Sequence, residues 1–368
     1  MDRLLFAEDG AAIGTDVADS DASSADKWKI LIVDDEQDVH DVTVLTLKRL
    51  EFESRGVTFL NAYSAAEGRE LLRQNPDVAL ALLDVVMEDD NAGLHLVRQI
   101  REELKNDRVR IVLRTGHPGQ APEERVTLDY DINDYREKTE LTARSLRTVV
   151  ISALRSFRDL STIHDLHREI DATQRELLYA LGEIAENRSV ETGHHVRRVG
   201  EISAILAEKC GLAPTEVDAI RLAAAMHDLG KLAVDDAILN KPGPLTAVEF
   251  EIMKKHSQFG YELLYRSQRP LLQMAALIAR EHHENYDGTG YPQGLRGKEI
   301  SRYSRIVALV DVFDALGTRR VYKEPWPQEK ILEFIRGETG KKFDPRLVEL
   351  FFDHMDEIRT VMEQYRDP

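Results

Sequence analysis

Short, continuous apolar runs in the first third of the chain constrain its fold more than any other feature. The runs cover residues 29–33, 78–83 and 110–113, and a fourth, more polar stretch covers residues 132–136. Amphipathic, helix-like stretches such as residues 39–50 and 93–104 separate them. Continuous apolar runs are typical of strands that are buried on both faces. Strands alternating with helices therefore predict an α/β fold, a doubly wound parallel sheet with helices on both faces.

Polar residues follow these predicted strands. They are Asp34, Asp35, Asp84, Thr115 and Lys138. Because the carboxyl ends of parallel strands meet at one edge of a sheet, we expect these side chains to converge. Three neighbouring carboxylates repel one another and favour a cation, for which Mg²⁺ is the usual hard partner. Beside Mg²⁺, Asp84 can attack a phosphoryl donor, while Lys138 and Thr115 bind the phosphoryl oxygens.

Residues 142–187 are polar with regularly spaced apolar side chains and no proline, which predicts one long helix. A seven-residue repeat places Ile163, Ile170, Leu177 and Ile184 on one seam, flanked by Leu166 and Ala180 and interrupted by Thr173. This pattern predicts a dimeric coiled coil, and hence a homodimer. A helix that packs only on its own neighbouring domain is the alternative.

After residue 186 the pattern is helical almost throughout, and several histidines there have acidic partners. Candidate metal ligands in this region are Glu191, His195, His227, Asp228, His256, His282, His283 and Asp311. Imidazole and carboxylate ligands suit first-row metals, and the absence of cysteine ligands argues against a structural zinc site. The adjacent His227 and Asp228 supply a carboxylate that can bridge two ions, as two-metal phosphoester hydrolysis requires. His194 has no such partner, and we assign it no role.

Two family resemblances follow from these residues. Residues 27–150 resemble the receiver domain of bacterial response regulators in the order and spacing of the paired acids, Asp84, Thr115 and Lys138. The resemblance implies a flavodoxin-like sheet and phosphorylation of Asp84 by a cognate histidine kinase. Receivers usually have proline after the lysine, whereas this chain has Thr139, so the expected cis peptide is in question. An unphosphorylated pseudo-receiver used for dimerisation is the alternative.

Residues 181–352 resemble the HD-GYP family of phosphodiesterases within the HD hydrolases. The matching motifs are residues 191–195, 227–231, 239–243, 253–256, 282–284, 287–292, 311–316 and 343–345. The family hydrolyses cyclic di-GMP to linear pGpG and, in some members, to GMP. The resemblance implies two metal ions, iron or manganese first and nickel, cobalt or zinc as alternatives. It implies that Asp228 bridges them and that Glu191 permits a third.

The same resemblance assigns the remaining roles. His227, Asp228 and Lys231 would be catalytic, and Lys231, Arg320 and Lys323 would bind substrate phosphates. The glycine-rich loop at residues 287–292 is either structural or a site for a partner protein. Departures at Val234, Val321 and Gly317 alter the expected pocket mouth but remove no metal ligand. Alternatives are a phosphodiesterase for pGpG or another cyclic dinucleotide, and a non-catalytic sensor that binds a dinucleotide or a partner.

Composition limits the remaining possibilities. The formal net charge of -17 argues against DNA binding. The single cysteine, Cys210, allows no internal disulfide. We find no secretory signal and no apolar run of the ~18 to 20 residues that a membrane span needs, so we expect a cytoplasmic protein. The predicted organisation is a disordered tail at 1–26, a receiver at 27–141, a helical linker at 142–185 and an all-α HD-GYP domain at 186–368.

Overall fold

The computed structural model describes residues 27–116, 132–138, 142–188, 193–318 and 325–367. The chain divides into two compact units, Met1–Arg168 and Glu169–Pro368, which are described separately below. The predicted tail at residues 1–26 and the peptide bond to Thr139 lie outside the described residues.

The first unit contains a five-stranded sheet whose strands all pair in parallel, in the order β2-β1-β3-β4-β5. The strands are β1 Trp28–Val33, β2 Val57–Ala62, β3 Val78–Asp84, β4 Arg110–Thr115 and β5 Asp134–Glu137. The helices α1 Gln37–Leu47, α2 Ala65–Gln74 and α3 Ala92–Arg98 alternate with them, and a π-helical turn, Gln99–Glu103, extends α3. The predicted doubly wound parallel sheet is confirmed.

Strand β2 has no counterpart among the predicted apolar runs. It lies at one edge of the sheet, next to β1 only. Only Ala62 of its six residues is fully buried. An edge strand with this exposure does not need the continuous apolar run that marks a central strand, which is why the sequence pattern missed it.

Alternate residues of the central strands face two separate apolar clusters. Leu31 and Leu83 contribute to a cluster with residues of α2 and α3, including Leu72 and Leu96. Their neighbours Ile30, Ile32, Leu80 and Leu82 contribute to the opposite cluster, with Leu47 of α1. Burial on both faces explains why β1 and β3 read as continuous apolar runs.

A 45-residue helix, α4 Ala143–Asn187, follows the sheet. Near its start, Leu146, Val150 and Leu154 complete the second apolar cluster of the first unit. Near its end, Tyr179 packs with Val196 in the second unit. The side chains of the predicted seam are exposed: Ile163 60%, Leu166 52%, Ile170 52%, Leu177 59% and Ile184 53%.

The second unit is helical in its described part, which confirms the predicted all-α domain. Its helices are α5 Gly193–Lys209, α6 Pro214–Ala224, α7 Asp236–Leu239, α8 Ala247–Met253, α9 Lys255–Leu264, α10 Pro270–Glu281, α11 Arg302–Gly317, α12 Gln328–Gly337, α13 Pro345–Asp353 and α14 Met355–Gln364. Short 3₁₀ turns occur at Leu229–Ala233 and Gly297–Glu299. The helical pattern over residues 247–265 is divided between α8 and α9, which Lys254 separates.

The core of this unit lies between α5, α6, α10 and α11. Val199, Ile220, Ile278 and Leu309, one from each of these helices, are fully buried in a single apolar cluster. Gly182 allows α4 to approach this core closely, since a Cβ atom there would lie 2.2 Å from the carbonyl oxygen of Ala225. Among the described residues, no helix combines the length and the apolar character that crossing a bilayer requires.

Candidate metal centres

The predicted rim of the parallel sheet brings Asp34, Asp84 and Lys138 together. The Lys138 ammonium lies 2.8 Å from Asp84 Oδ2 and 3.3 Å from Asp34 Oδ2. Asp34 and Asp84 are buried, whereas Asp35 is exposed on the same edge. Carboxylate oxygens of Asp34, Asp35, Glu36 and Asp84 lie within 4.8 Å of one another, which suits a hard cation such as Mg²⁺.

Burial and a neighbouring charge both change the pKa of Asp84, the phosphoacceptor that the sequence predicts. Burial raises the pKa of the Asp84 carboxyl, and Lys138 acts in the opposite direction. Thr115 ends β4 beside this group, and its carbonyl oxygen accepts a 2.7 Å hydrogen bond from the Lys138 amide. Gly93 keeps the backbone close on the other side, because a Cβ atom there would lie 2.0 Å from the Asp84 carbonyl oxygen.

A buried arginine at this rim was not predicted. Arg114 is 3% exposed, and its Nη2 atom donates to Asp34 Oδ2 at 3.3 Å. Its Nη1 atom donates to Thr43 Oγ1 at 3.1 Å. Arginine looks like a surface residue in a sequence, and only the register of β4 shows that this one lies beneath the acidic cluster. It offsets part of the negative charge that Asp34 and Asp84 concentrate there.

In the second unit, helix ends bring together the histidines and aspartates that the sequence singled out. His195 lies in the first turn of α5 and His256 in the first turn of α9. His227 and Asp228 follow the end of α6, and His282 and His283 follow the end of α10. Asp311 comes from the middle of α11. Two groups result: Asp228 with His256, His282 and His283, and Glu186 with His195 and His227.

Four of these histidines are oriented through the nitrogen that faces away from the cluster. The Nδ1 atoms of His227 and His256 each lie 2.8 Å from a backbone carbonyl oxygen, Ala224 O and Met253 O. That of His282 lies 3.0 Å from Ile278 O, and that of His195 lies 2.7 Å from Asp314 Oδ2. A carbonyl or ionised carboxylate oxygen only accepts, so Nδ1 carries a proton in these rings. In the neutral form of each ring, Nε2 then has the lone pair that a metal ligand needs.

These Nε2 atoms point at the two aspartates. His256 Nε2 and His282 Nε2 lie 3.1 Å and 3.4 Å from Asp228 Oδ1, and His227 Nε2 lies 3.3 Å from Asp228 Oδ2. His195 Nε2 and His227 Nε2 lie 3.6 Å and 3.7 Å from Asp311 Oδ1. Asp228 therefore presents one oxygen to each group of histidines. This is the arrangement expected of a carboxylate that bridges two cations.

The charges of this cluster are interdependent. Burial lowers the pKa of His282, and it holds the pKa of His283 well below the usual range of histidine. Burial alone would lower the pKa of His227 as well, but the carboxylates of Asp228 and Asp311 raise it to about 10. Burial alone would raise the pKa of Asp228, but Lys231 and His227 hold it well below its usual range. The carboxylates thus attract positive charge to the cluster.

The donor set fits divalent first-row cations. Within the described ranges, the buried atoms His227 Nε2, His282 Nε2 and Asp228 Oδ1 have no hydrogen-bond partner. Leaving such atoms unsatisfied costs about 1–3 kcal/mol each, and coordination to a cation would satisfy them together. Neutral imidazoles with carboxylates are the ligands that iron, manganese, cobalt, nickel and zinc accept.

Glu186 is a residue of the cluster that the sequence reasoning missed. It lies in the last turn of α4, and both carboxylate oxygens lie 3.2 Å from the ammonium of Lys231. Lys231 in turn lies 2.8 Å from Asp228 Oδ2. Arg188, just beyond the helix, donates to the carbonyl oxygens of Lys231 and Leu232. The end of α4 therefore holds the turn that carries Lys231. No spacing rule could reveal this, because Glu186 and Lys231 are far apart in sequence.

Asp314 is a second missed residue. It is fully buried, accepts two hydrogen bonds from Arg198, at 2.6 Å and 2.9 Å, and faces His195 Nδ1. Although burial acts in the opposite direction, His195 and Arg198 lower its pKa. The sequence could have indicated this role. Asp314 lies three residues after Asp311 in an otherwise apolar helix, and a buried carboxylate in such a helix needs a partner.

Replacing Asp314 with Asn is expected to weaken metal binding without removing a ligand. Both carboxylate oxygens of Asp314 accept hydrogen bonds, whereas an amide has one accepting oxygen and one donating nitrogen. The nitrogen would face the N–H group of His195 or Arg198, and the His195 imidazole would lose its orientation. Loss of such an orienting partner typically lowers metal affinity by about 10–100-fold. Titration of metal-depleted protein with Mn²⁺ measures the change. Asp356→Asn, at an exposed position, is the control, and an unchanged affinity in Asp314→Asn would contradict this role.

The glycine-rich loop packs directly on one metal-ligand candidate. The ring of Tyr291 lies 4.8 Å from that of His283. Glu284 is buried, and its carboxylate accepts hydrogen bonds from the backbone amides of Gln293, Gly294 and Leu295. The loop is therefore held together around Glu284, immediately beside His282 and His283.

Three predicted site residues lie outside the described residues: Glu191, Arg320 and Lys323. His194, to which no role was assigned, is partly exposed, and its Nδ1 atom lies 2.9 Å from the Arg366 carbonyl oxygen.

Comparisons with known proteins agree with this geometry. The model of the response regulator receiver domain matches residues 30–150, and an HD domain model matches residues 180–347. The chain is 34% identical to a 3'3'-cGAMP-specific phosphodiesterase 2 of Vibrio cholerae, covering 94% of each chain. It is 34% identical to the cyclic di-GMP phosphodiesterase response regulator RpfG of Xanthomonas campestris, covering 93% of this chain and 95% of the relative. A cyclic di-GMP phosphodiesterase of Thermotoga maritima is 33% identical, over 92% and 93%.

Proposed function

The chain belongs to the response regulators that join a receiver domain to an HD-GYP phosphodiesterase domain, and from this membership we propose that it hydrolyses cyclic di-GMP to pGpG. The observation that carries the proposal is the pair of ligand groups that share Asp228. Two cations on one carboxylate form the arrangement used for in-line hydrolysis of phosphodiesters. Further cleavage to GMP is part of the proposal.

HD domains are divalent-metal-dependent hydrolases, and we propose which residues bind the ions here. Asp228, His256, His282 and His283 would hold one, and His195, His227, Asp228 and Asp311 the other. Glu191 permits a third. Iron or manganese is expected first, with nickel, cobalt or zinc as alternatives. When bound, such ions lower the pKa of water and stabilise negative charge on phosphoryl oxygens.

The protein's own side chains position the substrate and neutralise its charge. Lys231 presents its ammonium beside Asp228, so it can donate to a phosphoryl oxygen at the edge of the cluster. Glu186 and Arg188 hold this lysine and its turn in place. Arg320 and Lys323 are proposed as further donors to the substrate phosphates. The ring of Tyr291 packs against that of His283 and covers this proposed ligand on the side of the loop.

A second candidate substrate is 3'3'-cGAMP. The Vibrio cholerae relative that covers 94% of this chain is named as specific for that dinucleotide. Cyclic di-GMP and 3'3'-cGAMP have the same phosphodiester backbone and differ in one base. Residues that discriminate between the two dinucleotides must therefore contact the base that differs, and the metal ligands would not distinguish them.

Phosphorylation of Asp84 is proposed to control turnover. Asp34 and Asp84 would bind Mg²⁺, with Asp35 beside them, and Lys138 would neutralise the added phosphoryl group, which Thr115 would also bind. A cognate histidine kinase is the expected donor. Helix α4 begins in the first unit, and Glu186 in its last turn contacts Lys231. We therefore propose that α4 transmits the effect of phosphorylation to Lys231.

We also propose that α4 forms a homodimeric coiled coil with a second copy of the chain. The exposed side chains of Ile163, Ile170 and Leu177 repeat at heptad spacing, and exposed apolar side chains in such a repeat are stabilised by an identical partner. Replacing Ile170 with Lys is expected to convert the dimer to a monomer in sedimentation velocity experiments. Asp171→Lys, at an exposed position that faces away from the seam, should leave the dimer intact. A dimer that persists in Ile170→Lys would exclude this interface.

Product analysis of anaerobically purified, metal-analysed protein tests the proposed activity. Cyclic di-GMP, 3'3'-cGAMP and pGpG are incubated separately, with and without acetyl phosphate, and products are separated by chromatography. We expect linear dinucleotide from cyclic di-GMP. Asp84→Asn should remove any change in rate that acetyl phosphate causes. Binding without turnover of any dinucleotide by metal-loaded protein would exclude the activity and favour the non-catalytic sensor.

A further inference from the structure

A basic cleft lies in the second unit and shares no residue with the metal-ligand cluster. It has a volume of about 400 Å³ and is lined by residues from α11, α13 and the loops beside them. Four of its residues are cationic, Lys298, Arg302, Arg305 and Arg346, and one is anionic, Asp344. In a chain with a formal net charge of -17, this concentration of positive charge needs an explanation.

Three of these cations form no ion pair with a described residue, although the charge of Arg302 acts on the nearby Glu216 carboxyl and helps to lower its pKa. Arg305 forms an ion pair with Asp344. The side chains of Lys298, Arg302 and Arg346, by contrast, make no hydrogen bond or ion pair with any residue that the structure describes. Many other surface cations of this unit are paired, as in Lys209 with Glu357 and Arg221 with Glu201. Cations held near one another without ion-pair partners are stabilised by a bound anion, and arginines suit phosphate in particular.

The backbone adds to this positive potential. Arg302 is the first residue of α11, and Arg346 is the second residue of α13. Each helix N-terminus carries a partial positive charge that favours anions, although the Arg346 amide already donates to Asp344 Oδ1 and the Ser304 amide to Ser301 Oγ. Asp344 caps α13 and is held by Arg305, so it offsets only part of the charge.

The remaining walls of the cleft are less polar. Tyr286, Pro345 and Leu347 line it together with Cys210. A cavity of this size with an aromatic wall suits a small organic molecule rather than a phosphate ion alone. Tyr286 immediately precedes the glycine-rich loop, and its carbonyl oxygen accepts a hydrogen bond from the Gly297 amide. Tyr291, which packs on His283, lies within that loop.

From these observations we propose that the cleft around Arg302 and Arg346 binds a phosphorylated small molecule of the nucleoside diphosphate class. The phosphoryl groups contact Lys298, Arg302 and Arg346, and the base lies against Tyr286. The proposal is independent of the proposed dinucleotide substrate, since it concerns a separate site. A molecule bound there would restrain the loop that packs on His283.

Cys210 provides a direct test, because it is the chain's single cysteine and lines the cleft. The rate of alkylation by N-ethylmaleimide is measured on full-length, metal-loaded protein with increasing GDP or inorganic phosphate. We expect GDP to slow alkylation saturably, by at least about fivefold. The concentration required should rise by roughly tenfold or more in Arg302→Gln/Arg346→Gln, since each lost arginine removes charge-assisted hydrogen bonds.

Lys330→Gln/Arg359→Gln, which removes two cations from other helices of the same unit, should respond like the unchanged protein. Circular dichroism verifies that each variant is folded. Alkylation that GDP does not slow, or equal protection in Arg302→Gln/Arg346→Gln, would overturn the site. Inorganic phosphate that protects as well as GDP would remove the nucleoside from the proposal.

Discussion

Replacing Asp228 with Asn is expected to lower the turnover of cyclic di-GMP by at least about a thousandfold, an effect of the size seen for residues at the centre of a catalytic group. Asp228 presents Oδ1 to His256 and His282 and Oδ2 to His227 and Lys231. An amide provides one weaker oxygen ligand and one donor nitrogen, so it cannot bridge two cations. The measurements are initial rates by chromatography and metal content by mass spectrometry.

Asp218→Asn is the matched control, because Asp218 is an exposed aspartate whose one ion pair with a described residue is with Arg221, on the same helix α6. Exposed pairs of this kind contribute little, about 0–1 kcal/mol, so the control should retain full turnover and metal content. Undiminished turnover in Asp228→Asn, with contaminating enzymes excluded, would show that Asp228 does not bridge the ions. Loss of turnover with full metal content would instead limit its role to contacts with substrate or water.

Replacing Gly230 with Ala is expected to destabilise the second unit and separate the two ligand groups. A Cβ atom at Gly230 would lie 1.9 Å from the carbonyl oxygen of His256 and 2.5 Å from the amide nitrogen of Gly260. Both contacts are with backbone, so α9 would have to move away from the turn that carries His227 and Asp228. We expect a loss of about 3 kcal/mol in the free energy of unfolding, the upper part of the range for overpacked sites.

Urea unfolding followed by circular dichroism measures this loss, and metal analysis measures the separation of ligands. Gly337→Ala is the matched control: this glycine ends α12, and a Cβ atom there would meet no atom within 4 Å. The control should unfold at the same urea concentration as the unchanged protein or at a higher one, because alanine is more favourable than glycine within a helix. A Gly230→Ala variant with unaltered stability and metal content would mean that α9 and the turn can separate without cost.

The sheet was predictable to the extent that its strands are buried on both faces. Strands β1 and β3 have continuous apolar sequences, so their positions and their polar C-terminal ends could be predicted. Strand β2 could not, because it lies at an edge and only Ala62 is fully buried. The burial of Arg114 beneath Asp34 was equally hidden, since a charged side chain within a strand gives no sign of which neighbour it will meet.

In the second unit, paired histidine and acidic residues at helix ends identified most of the candidate ligands. Residues that act through a ligand were harder to find. Asp314 orients His195 from a different helix, and Glu186 holds Lys231 across a long separation in sequence. Such contacts depend on how helices cross. Glycines set these crossings in part. Gly182 is an example, because the carbonyl oxygen of Ala225 occupies the space that a Cβ atom would need, and the sequence does not show this contact.

Helix α4 has a consequence for how such regulators exchange modules during evolution. Its beginning belongs to the core of the sheet through Leu146 and Leu154, and its end belongs to the catalytic unit through Tyr179 and Glu186. Recombination at either end would therefore remove part of one hydrophobic core. New sensory modules can be joined without this damage only within the exposed middle of the helix. Insertions or deletions of whole heptads in this segment would keep Ile163 and Leu177 on the same face of the helix.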